Sequence, residues 1–397
     1  MTRTTLGLCT TVLALSAFAY ACGSASLDAF GSGERSNEPG AGSADGGFAG
    51  TAAPGSNAKD LAPVDNAVIL VHAAKSLPFR LCFEKDLDLR PQPDSQAMPE
   101  ANVVGVEVGS AVRLGPLKGP PGKVYLFEEP LIRASYPQFG GAGEGPSCRS
   151  LLSSTFASIV VTLNSVDADL SRGVHLLVVR GCPADGPIQK YSAAECGDGW
   201  TPKKSNLSVK EITLTGANRP ENAILPAQVV NLSQSLESAR AGRDVVISFG
   251  DLARADAVHA PVVTNPELFG NAAPSTPARL PYAAADIAVY EATGIRVGLA
   301  AKAPDGGAGA TQPVLDESLA KIQKASSSRD VPPSYYSAAS NYALLLLGDP
   351  NAKLPDGGVD TDPRRNVHLL AVPVIAPKAD AGADAGEPAD GGDAPTP

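Results

Sequence analysis

The sequence lacks the features expected of a nucleic-acid-binding or membrane-spanning protein. Its 397 residues carry a formal net charge of −10, and no run of Lys or Arg offsets that acidity. Phosphate groups would be repelled by this charge, which argues against nucleic acid or an anionic lipid surface as a partner. The longest apolar run after the N-terminal segment, Tyr342 to Leu347, is strand-sized, whereas a spanning helix needs about 20 apolar residues.

Motifs of common enzyme classes are also missing. The chain has no G-x-S-x-G, H-E-x-x-H or Walker A motif, and no G-x-G-x-x-G that opens a helix after a strand. One S-x-x-K match, Ser318 to Lys321, resembles penicillin-binding enzymes, in which the lysine activates the serine. The K-T-G motif of those enzymes is absent, so we expect a chance match. We therefore predict no catalytic residues and no cofactor.

Candidate ligands for a metal ion are scattered. His72, His175, His259 and His368 are far apart in the sequence, and no C-x2-C pair is present. A packed or surface histidine is more common at such positions than a ligand. We therefore predict no metal site.

Aromatic residues make up 5% of the chain, which is low for a dedicated glycan-binding protein. Trp200 is the single tryptophan, and Tyr335, Tyr336 and Tyr342 cluster before a predicted strand. Such residues can stack on sugars, but we expect them to pack in the core or at strand edges.

The N-terminus has the organisation of a secretory signal peptide, which we predict over residues 1–21. Arg3 supplies a positive n-region, residues 6–20 form an apolar h-region, and the triplet AYA at 19–21 matches a cleavage pattern. Cleavage after this triplet would leave Cys22 at the head of the exported chain.

Cys22 has two interpretations. A lipoprotein signal requires a small or aliphatic residue at −3 and a small one at −1, which Ala19 and Ala21 provide, although Tyr20 is atypical at −2. The alternative is ordinary cleavage, which would leave a periplasmic or secreted protein. We favour lipidation, because Cys22 has no evident disulfide partner and precedes a tether. The protein would then be held at the bacterial outer membrane or cell surface through Cys22.

The other cysteines of the exported chain, Cys82, Cys148, Cys182 and Cys196, favour disulfides, because export leads to an oxidising compartment. Four cysteines allow three connectivities, and the sequence alone does not choose among them. We favour Cys182–Cys196, which closes the loop CPADGPIQKYSAAEC, and Cys82–Cys148 by elimination. Zinc is the alternative, and the scattered histidines weaken it.

Short strands dominate between two segments of low complexity. Residues 22–61 are rich in Gly, Ala, Ser and Pro and predict a flexible tether, and the acidic residues 377–397 predict a disordered tail. Runs of Val, Ile, Leu, Thr and aromatic residues bounded by turn residues predict strands. These are at 67–72, 79–83, 102–108, 123–129, 157–163, 174–179, 207–214, 227–232, 244–249, 285–292, 295–300, 342–347 and 367–374.

The strands fall into two sets that repeat in order. The aligned segments are 67–77 with 226–236, 78–83 with 244–249, 175–183 with 342–350, and 206–214 with 366–374, at offsets of 159, 166, 167 and 160. Helical spacing is confined to 313–325. We therefore predict an all-β fold of two tandem antiparallel β-sandwich (immunoglobulin-like) modules, 62–217 and 225–376, with one short helix in the second.

Four segments resemble motifs of a family of uncharacterised domains in bacterial envelope lipoproteins. LVHAAKS (70–76) and VVNLSQS (229–235) resemble its Val-Val-His-Ala-Ser-Pro-like opening strand, without the proline and with Asn231 in place of the histidine in the second copy. SNYALLLLGDP (340–350) and GVHLLVVRGCP (173–183) resemble its later Gly-x-x-Tyr-Thr-Val-type strand. The resemblance implies an all-β, often tandem, sandwich-like fold on exported lipoproteins, and implies no catalytic residues.

The sequence thus predicts a lipid-anchored, non-catalytic envelope protein with a structural role or with a protein or glycan ligand. The alternative is an exported hydrolase whose site is assembled from scattered residues. A cluster of titratable side chains in one concave pocket would favour the hydrolase.

Overall fold

The computed structural model describes residues 58–59, 65–89, 91–92, 105–114, 117–128, 147–153, 160–186, 190–214, 224–252, 260–281, 287–302, 308–326, 335–336, 341–353 and 358–375. The predicted signal peptide, Cys22, the acidic tail and all of the tether except residues 58–59 lie outside the described residues. We call residues 58–214 the first half and residues 224–375 the second half.

Strands are the predominant secondary structure, at 49% against 16% for helices. The strands of the first half are β1 (Ala58–Lys59), β2 (Ala67–His72), β3 (Phe79–Phe83), β4 (Ala111–Arg113), β5 (Gly122–Glu128), β6 (Val161–Val166), β7 (Val174–Arg180) and β8 (Ser208–Leu214). Those of the second half are β9 (Ile224–Asn231), β10 (Asp244–Asp251), β11 (Ala260–Thr264), β12 (Ala273–Pro281), β13 (Thr293–Lys302), β14 (Ala308–Ser318), β15 (Asn341–Leu347) and β16 (His368–Val374). The predicted all-β class is confirmed.

Helices are short. They are α1 (Cys148–Ser153), α2 (Ala193–Cys196), α3 (Gln234–Ala239), α4 (Ile287–Ala292) and α5 (Leu319–Ser326), with a 3-10 turn at Glu84–Asp86. Within the described ranges, no helix has the length and apolar character needed to cross a bilayer.

Each half contains the same pair of sheets. Sheet A has the strand order β1-β4-β2-β7-β8 and sheet C the order β3-β5-β6, whereas sheet B is β12-β9-β15-β16 and sheet D is β11-β10-β13-β14. In both halves the opening strand pairs in parallel with the later apolar strand, β2 with β7 and β9 with β15. These parallel pairs depart from the predicted wholly antiparallel modules. Two parallel strands need a long connection between them. In each half the chain forms the strands of the outer sheet between the opening strand and the later apolar strand, and this segment is the connection.

The pairing registers of the two halves correspond. Val71 pairs with Val178 and Val230 with Leu345, so the parallel pairs obey the sequence offsets of 159 and 167. The antiparallel pairs β7–β8 and β15–β16 obey the offset of 160 in the same way. The two halves therefore share one topology as well as short stretches of sequence.

The central strands of sheets A and B are buried on both faces. In β2, Ile69 belongs to a core between sheets A and B, whereas Val68 belongs to a core between sheets A and C. In β15, Leu345 faces sheet A and Leu344 faces sheet D. The layer order is therefore C–A–B–D. Because successive side chains in a strand point to opposite faces, a strand buried on both faces is apolar throughout.

Polar contacts join the halves around the A–B core, and we call this core with its polar rim the seam. Lys75 Nζ donates to Asp349 Oδ2 at 2.8 Å, and Arg364 forms an ion pair with Glu107. The Asp349 side chain is buried and that of Lys75 is partly exposed. These ion pairs connect the first half to the loop that precedes β16.

A turn is repeated in the two halves and docks on the end of the opening strand. Gly109 N donates to His72 O at 2.9 Å, and Phe269 N donates to Asn231 O at 2.8 Å. Gly109 and Phe269 are 160 residues apart and both have positive φ angles, 70° and 53°. The guanidinium carbon of Arg180 lies 4.8 Å from the centre of the Phe269 ring, so this turn also contacts the opposite half.

Three sequence predictions of local structure are wrong. Residues 313–318 belong to β14, because they pair with β13, and the helix α5 begins at Leu319. Residues 287–292 form the helix α4 instead of a strand, since Tyr290 enters the core whereas Ile287 is exposed. Of the predicted strand at 102–108 the structure describes residues 105–108, where Val106 forms a single bridge to Phe79 instead of a strand. The prediction of a single helix is therefore also wrong.

We predict that Gly109→Ala destabilises the protein by about 2–4 kcal/mol, because the new Cβ would combine a strained positive φ with an overlap of the Arg364 carbonyl in the opposite half. Gly199→Ala is the control, since Gly199 has a φ of 79° and no neighbouring heavy atom within 4 Å of the position that the new methyl group would take. Only the backbone strain of about 1 kcal/mol should remain there. Urea unfolding of both variants measures the difference, and equal losses would contradict a tight approach at Gly109.

Candidate functional site

The four paired cysteines lie in the first half, and the predicted pairings are confirmed. Cys82–Cys148 joins β3 to α1, and Cys182–Cys196 joins the end of β7 to α2. All four side chains are buried. The bonds are typical of an extracytoplasmic protein. Cys22, the predicted lipidation site, lies outside the described residues.

The loop closed by Cys182–Cys196 is held by an extensive set of local bonds. Ser192 and Glu195 form a capping box at the start of α2. Trp200 Nε1 donates to Pro183 O at 2.8 Å, and the Trp200 side chain is buried against the disulfide. The tryptophan therefore stabilises its own loop and does not present a flat face to solvent.

The tyrosines at 335, 336 and 342 are buried in the core between sheets B and D. Tyr336 packs against Tyr335 and Tyr342, with ring centres 5.2 and 5.1 Å apart, and its hydroxyl donates to Leu319 O at 3.0 Å. Core packing is the role that the sequence predicts for them.

His72 is fully buried at the end of β2. Its Nε2 lies 3.3 Å from Leu77 O and 3.5 Å from Ser76 Oγ, and its ring centre lies 4.4 Å from that of Phe79. Among the described residues, Nδ1 has no hydrogen-bond partner. In a catalytic serine–histidine pair an acidic group at that nitrogen orients the imidazole. The described residues place no such group at Nδ1 of His72, so its contact with Ser76 does not form a catalytic triad. Burial lowers the pKa of His72 to about 4, so the imidazole is neutral at pH 7.

His175 is held between two acceptors at the start of β7. Its Nδ1 lies 2.8 Å from Glu211 Oε1, and its Nε2 lies 2.7 Å from Arg172 O. Thr213 Oγ1 donates to the same carboxylate oxygen at 2.8 Å. Both ring nitrogens are therefore engaged in contacts that tie β7 to β8 and to the turn before β7.

His368 lies in the seam. Its Nε2 is 2.7 Å from Gly109 O in the first half, and its Nδ1 is 2.7 Å from Asn366 O. Burial lowers the pKa of His368. This histidine therefore links β16 to the repeated turn of the opposite half.

The described histidines do not converge on a common site. His259 lies outside the described residues. Across all of the described ranges, no group of three or more His, Cys, Asp or Glu side chains is arranged to hold a metal ion.

The S-x-x-K residues form the start of α5. Ser318 Oγ accepts a hydrogen bond from Lys321 N at 3.2 Å, which is the bond of a helix N-cap. Lys321 Nζ is directed towards Glu317, 3.7 Å from Oε1. Glu317 Oε2 in turn accepts from Leu369 N at 2.9 Å, and burial raises the pKa of this carboxyl. Ser318 thus caps α5, and Glu317 at the end of β14 lies between Lys321 of α5 and the backbone of β16.

The polar residues of the seam, such as Lys75 and Asp349, were missed by sequence reasoning. The repeated Glu-aliphatic pair, Glu107-Val108 and Glu267-Leu268 at the offset of 160, is a sequence signal for Glu107, but not for Lys75 or Asp349. No protein-family model matches the chain, and no curated protein is similar to it in sequence.

We predict that acid destabilises the protein partly through His72. Because the folded pKa of about 4 is below the unfolded value of 6.5, the unfolded chain binds the proton first as the pH falls below 6.5. Protonation of His72 should therefore lower the free energy of unfolding by about 2–3 kcal/mol between pH 7 and pH 4.5. His72→Asn, which copies the equivalent Asn231, should lose less stability over that interval in urea titrations. Identical losses in the two proteins would show that His72 is not the titrating group.

We predict that Ser318→Ala lowers the free energy of unfolding by about 1 kcal/mol through loss of the N-cap, whereas Ser318→Thr retains most of it. The wild type should not react covalently with a fluorescent penicillin. Labelling of the wild type that disappears in Ser318→Ala would instead support the hydrolase alternative.

Proposed function

We propose that this chain is a lipid-anchored, non-catalytic protein of the bacterial cell envelope, with a structural or binding role. Cys22 would carry the lipid, and residues 22–61 would be the tether that separates the membrane from the paired halves. The proposal includes membership of the uncharacterised family of envelope lipoproteins that the opening-strand motifs resemble.

The observation that carries this proposal is the use of the reactive side chains. Ser318 caps a helix, Lys321 faces Glu317, and His175 and His368 each lie between two acceptors. In the part of the chain that the structure describes, these four side chains contact structural partners and do not assemble into one group. Such engagement in local packing favours a scaffold over a hydrolase with a dispersed site.

The family resemblance is supported by the positions of its motifs. The two copies of the opening motif end β2 and β9, and the two copies of the later motif form β7 and β15, which pair with them in parallel. Each half also has two sheets packed face to face, as an immunoglobulin-like sandwich requires, although its central parallel pair departs from a purely antiparallel design.

A protein partner or a structural role is favoured over a glycan ligand. Stacking on a sugar ring needs an exposed aromatic face. Trp200 and the tyrosines at 335, 336 and 342 are buried, so these candidate platforms are already occupied by protein contacts.

The test is intact-mass analysis of the wild type and Cys22→Ala after expression in a bacterium with a lipoprotein pathway. We expect the wild type to carry an acyl modification and to sediment with membranes, because several buried acyl chains hold a protein firmly. Cys22→Ala should lose both properties while keeping its folded halves. An unmodified wild type that begins at Cys22 would show ordinary cleavage and a secreted or periplasmic protein.

A further inference from the structure

The free edges of the central sheets differ between the halves. β8 and β16 are equivalent edge strands, at an offset of 160, on sheets A and B. An exposed edge strand presents unpaired N–H and C=O groups to which another extended strand can add. The bonds made by these outward groups show which edge is closed.

The edge of β16 is closed along its length. Leu369 N donates to Glu317 Oε2 at 2.9 Å, and Ala371 N donates to Ser326 Oγ. In an antiparallel pair the outward residues alternate, so the next outward position is Pro373, which has no N–H. Glu317 of β14 and Ser326 of α5 therefore bond the outward N–H groups of Leu369 and Ala371, and Pro373 offers none. No outward donor is left free from Leu369 to Pro373.

The edge of β8 is closed only at its beginning. Asn164 Oδ1 accepts from Val209 N at 2.8 Å, and Asn164 Nδ2 donates to Val209 O at 2.9 Å. Val209 is the equivalent of Leu369, so the two halves close the same position with different side chains. The following outward residues are Glu211 and Thr213. Among the residues that the structure describes, no side chain bonds their outward backbone groups.

Several other edge strands carry proline, which blocks strand addition, although β3 and β6 at the edges of sheet C do not. Pro274 and Pro277 lie in β12, and Pro313 lies in β14. β8 has the sequence SVKEITL, without proline and with three β-branched residues that favour extended structure. Unlike β12, β14 and β16, β8 therefore contains no proline that would block strand addition.

We propose that the open edge of β8 pairs, antiparallel, with β8 of a second copy of this chain. An edge that meets itself forms a two-fold symmetric contact. Pairing centred on Ile212 places Glu211 opposite the partner's Thr213 and Lys210 opposite the partner's Leu214. Moving the centre of the contact from Ile212 to Glu211 would oppose Glu211 with Glu211, and moving it on to Lys210 would oppose Lys210 with Lys210, which like-charge repulsion disfavours. The centred register also keeps Asn164 at the end of the contact.

The proposal is tested by sedimentation equilibrium of the full chain with Cys22→Ala, so that a lipid cannot itself cause association. We expect the parent protein to form a reversible dimer. Thr213→Pro, which copies Pro373, removes an N–H that the symmetric contact uses twice, and should raise the dissociation constant roughly tenfold or more. Thr213→Val is the matched control, because it removes the same hydroxyl and keeps the N–H, and should dimerise as the parent does.

Amide hydrogen exchange supplies a second measurement that does not depend on how well Thr213→Pro folds. In the parent protein, raising the concentration should slow exchange at Glu211 and Thr213 but not at Lys210 and Ile212, whose amides already face β7. A parent that stays monomeric, or a dimer in which Glu211 and Thr213 gain no protection, would overturn the proposal. Equal dimerisation of a folded Thr213→Pro variant would do the same.

Discussion

Burial of sheets A and B against each other is the constraint on which the rest of the structure depends. One face of each sheet fills the seam, and the other packs on an outer sheet. The central strands are therefore largely apolar, and neither central sheet could face water alone without exposing a large apolar surface. At the rim of the seam, polar side chains of the two halves form ion pairs and hydrogen bonds with each other.

The two halves share a topology but differ in the chemistry at equivalent positions. His72 corresponds to Asn231, and Cys182 corresponds to Asp349. The first half uses a disulfide at Cys182, whereas the second half uses the ion pair of Asp349 with Lys75. Each choice fixes the loop that follows a central strand, so the architecture tolerates different side chains where the same connection is made.

The candidate site was predictable in part. The disulfide pairing followed from loop closure and elimination, because few cysteines left few choices. The N-cap role of Ser318 could not be read from the S-x-x-K spacing, since the same spacing serves a helix start and an active site. His368 gave no signal at all, because its partner, Gly109 O, is 259 residues away in the sequence.

The sequence by itself determined where most of the strands form, because alternation and continuous apolar runs report whether one face or both faces are buried. It also determined the internal repeat, which the matching registers of the two halves reproduce. The tertiary structure alone decided that β2 pairs in parallel with β7 and β9 with β15, that residues 287–292 are helical, and that different side chains bond the equivalent edge residues Val209 and Leu369. Periodicity records how much of a strand is buried but not what buries it, and the identity of the neighbour is set by contacts between distant parts of the chain.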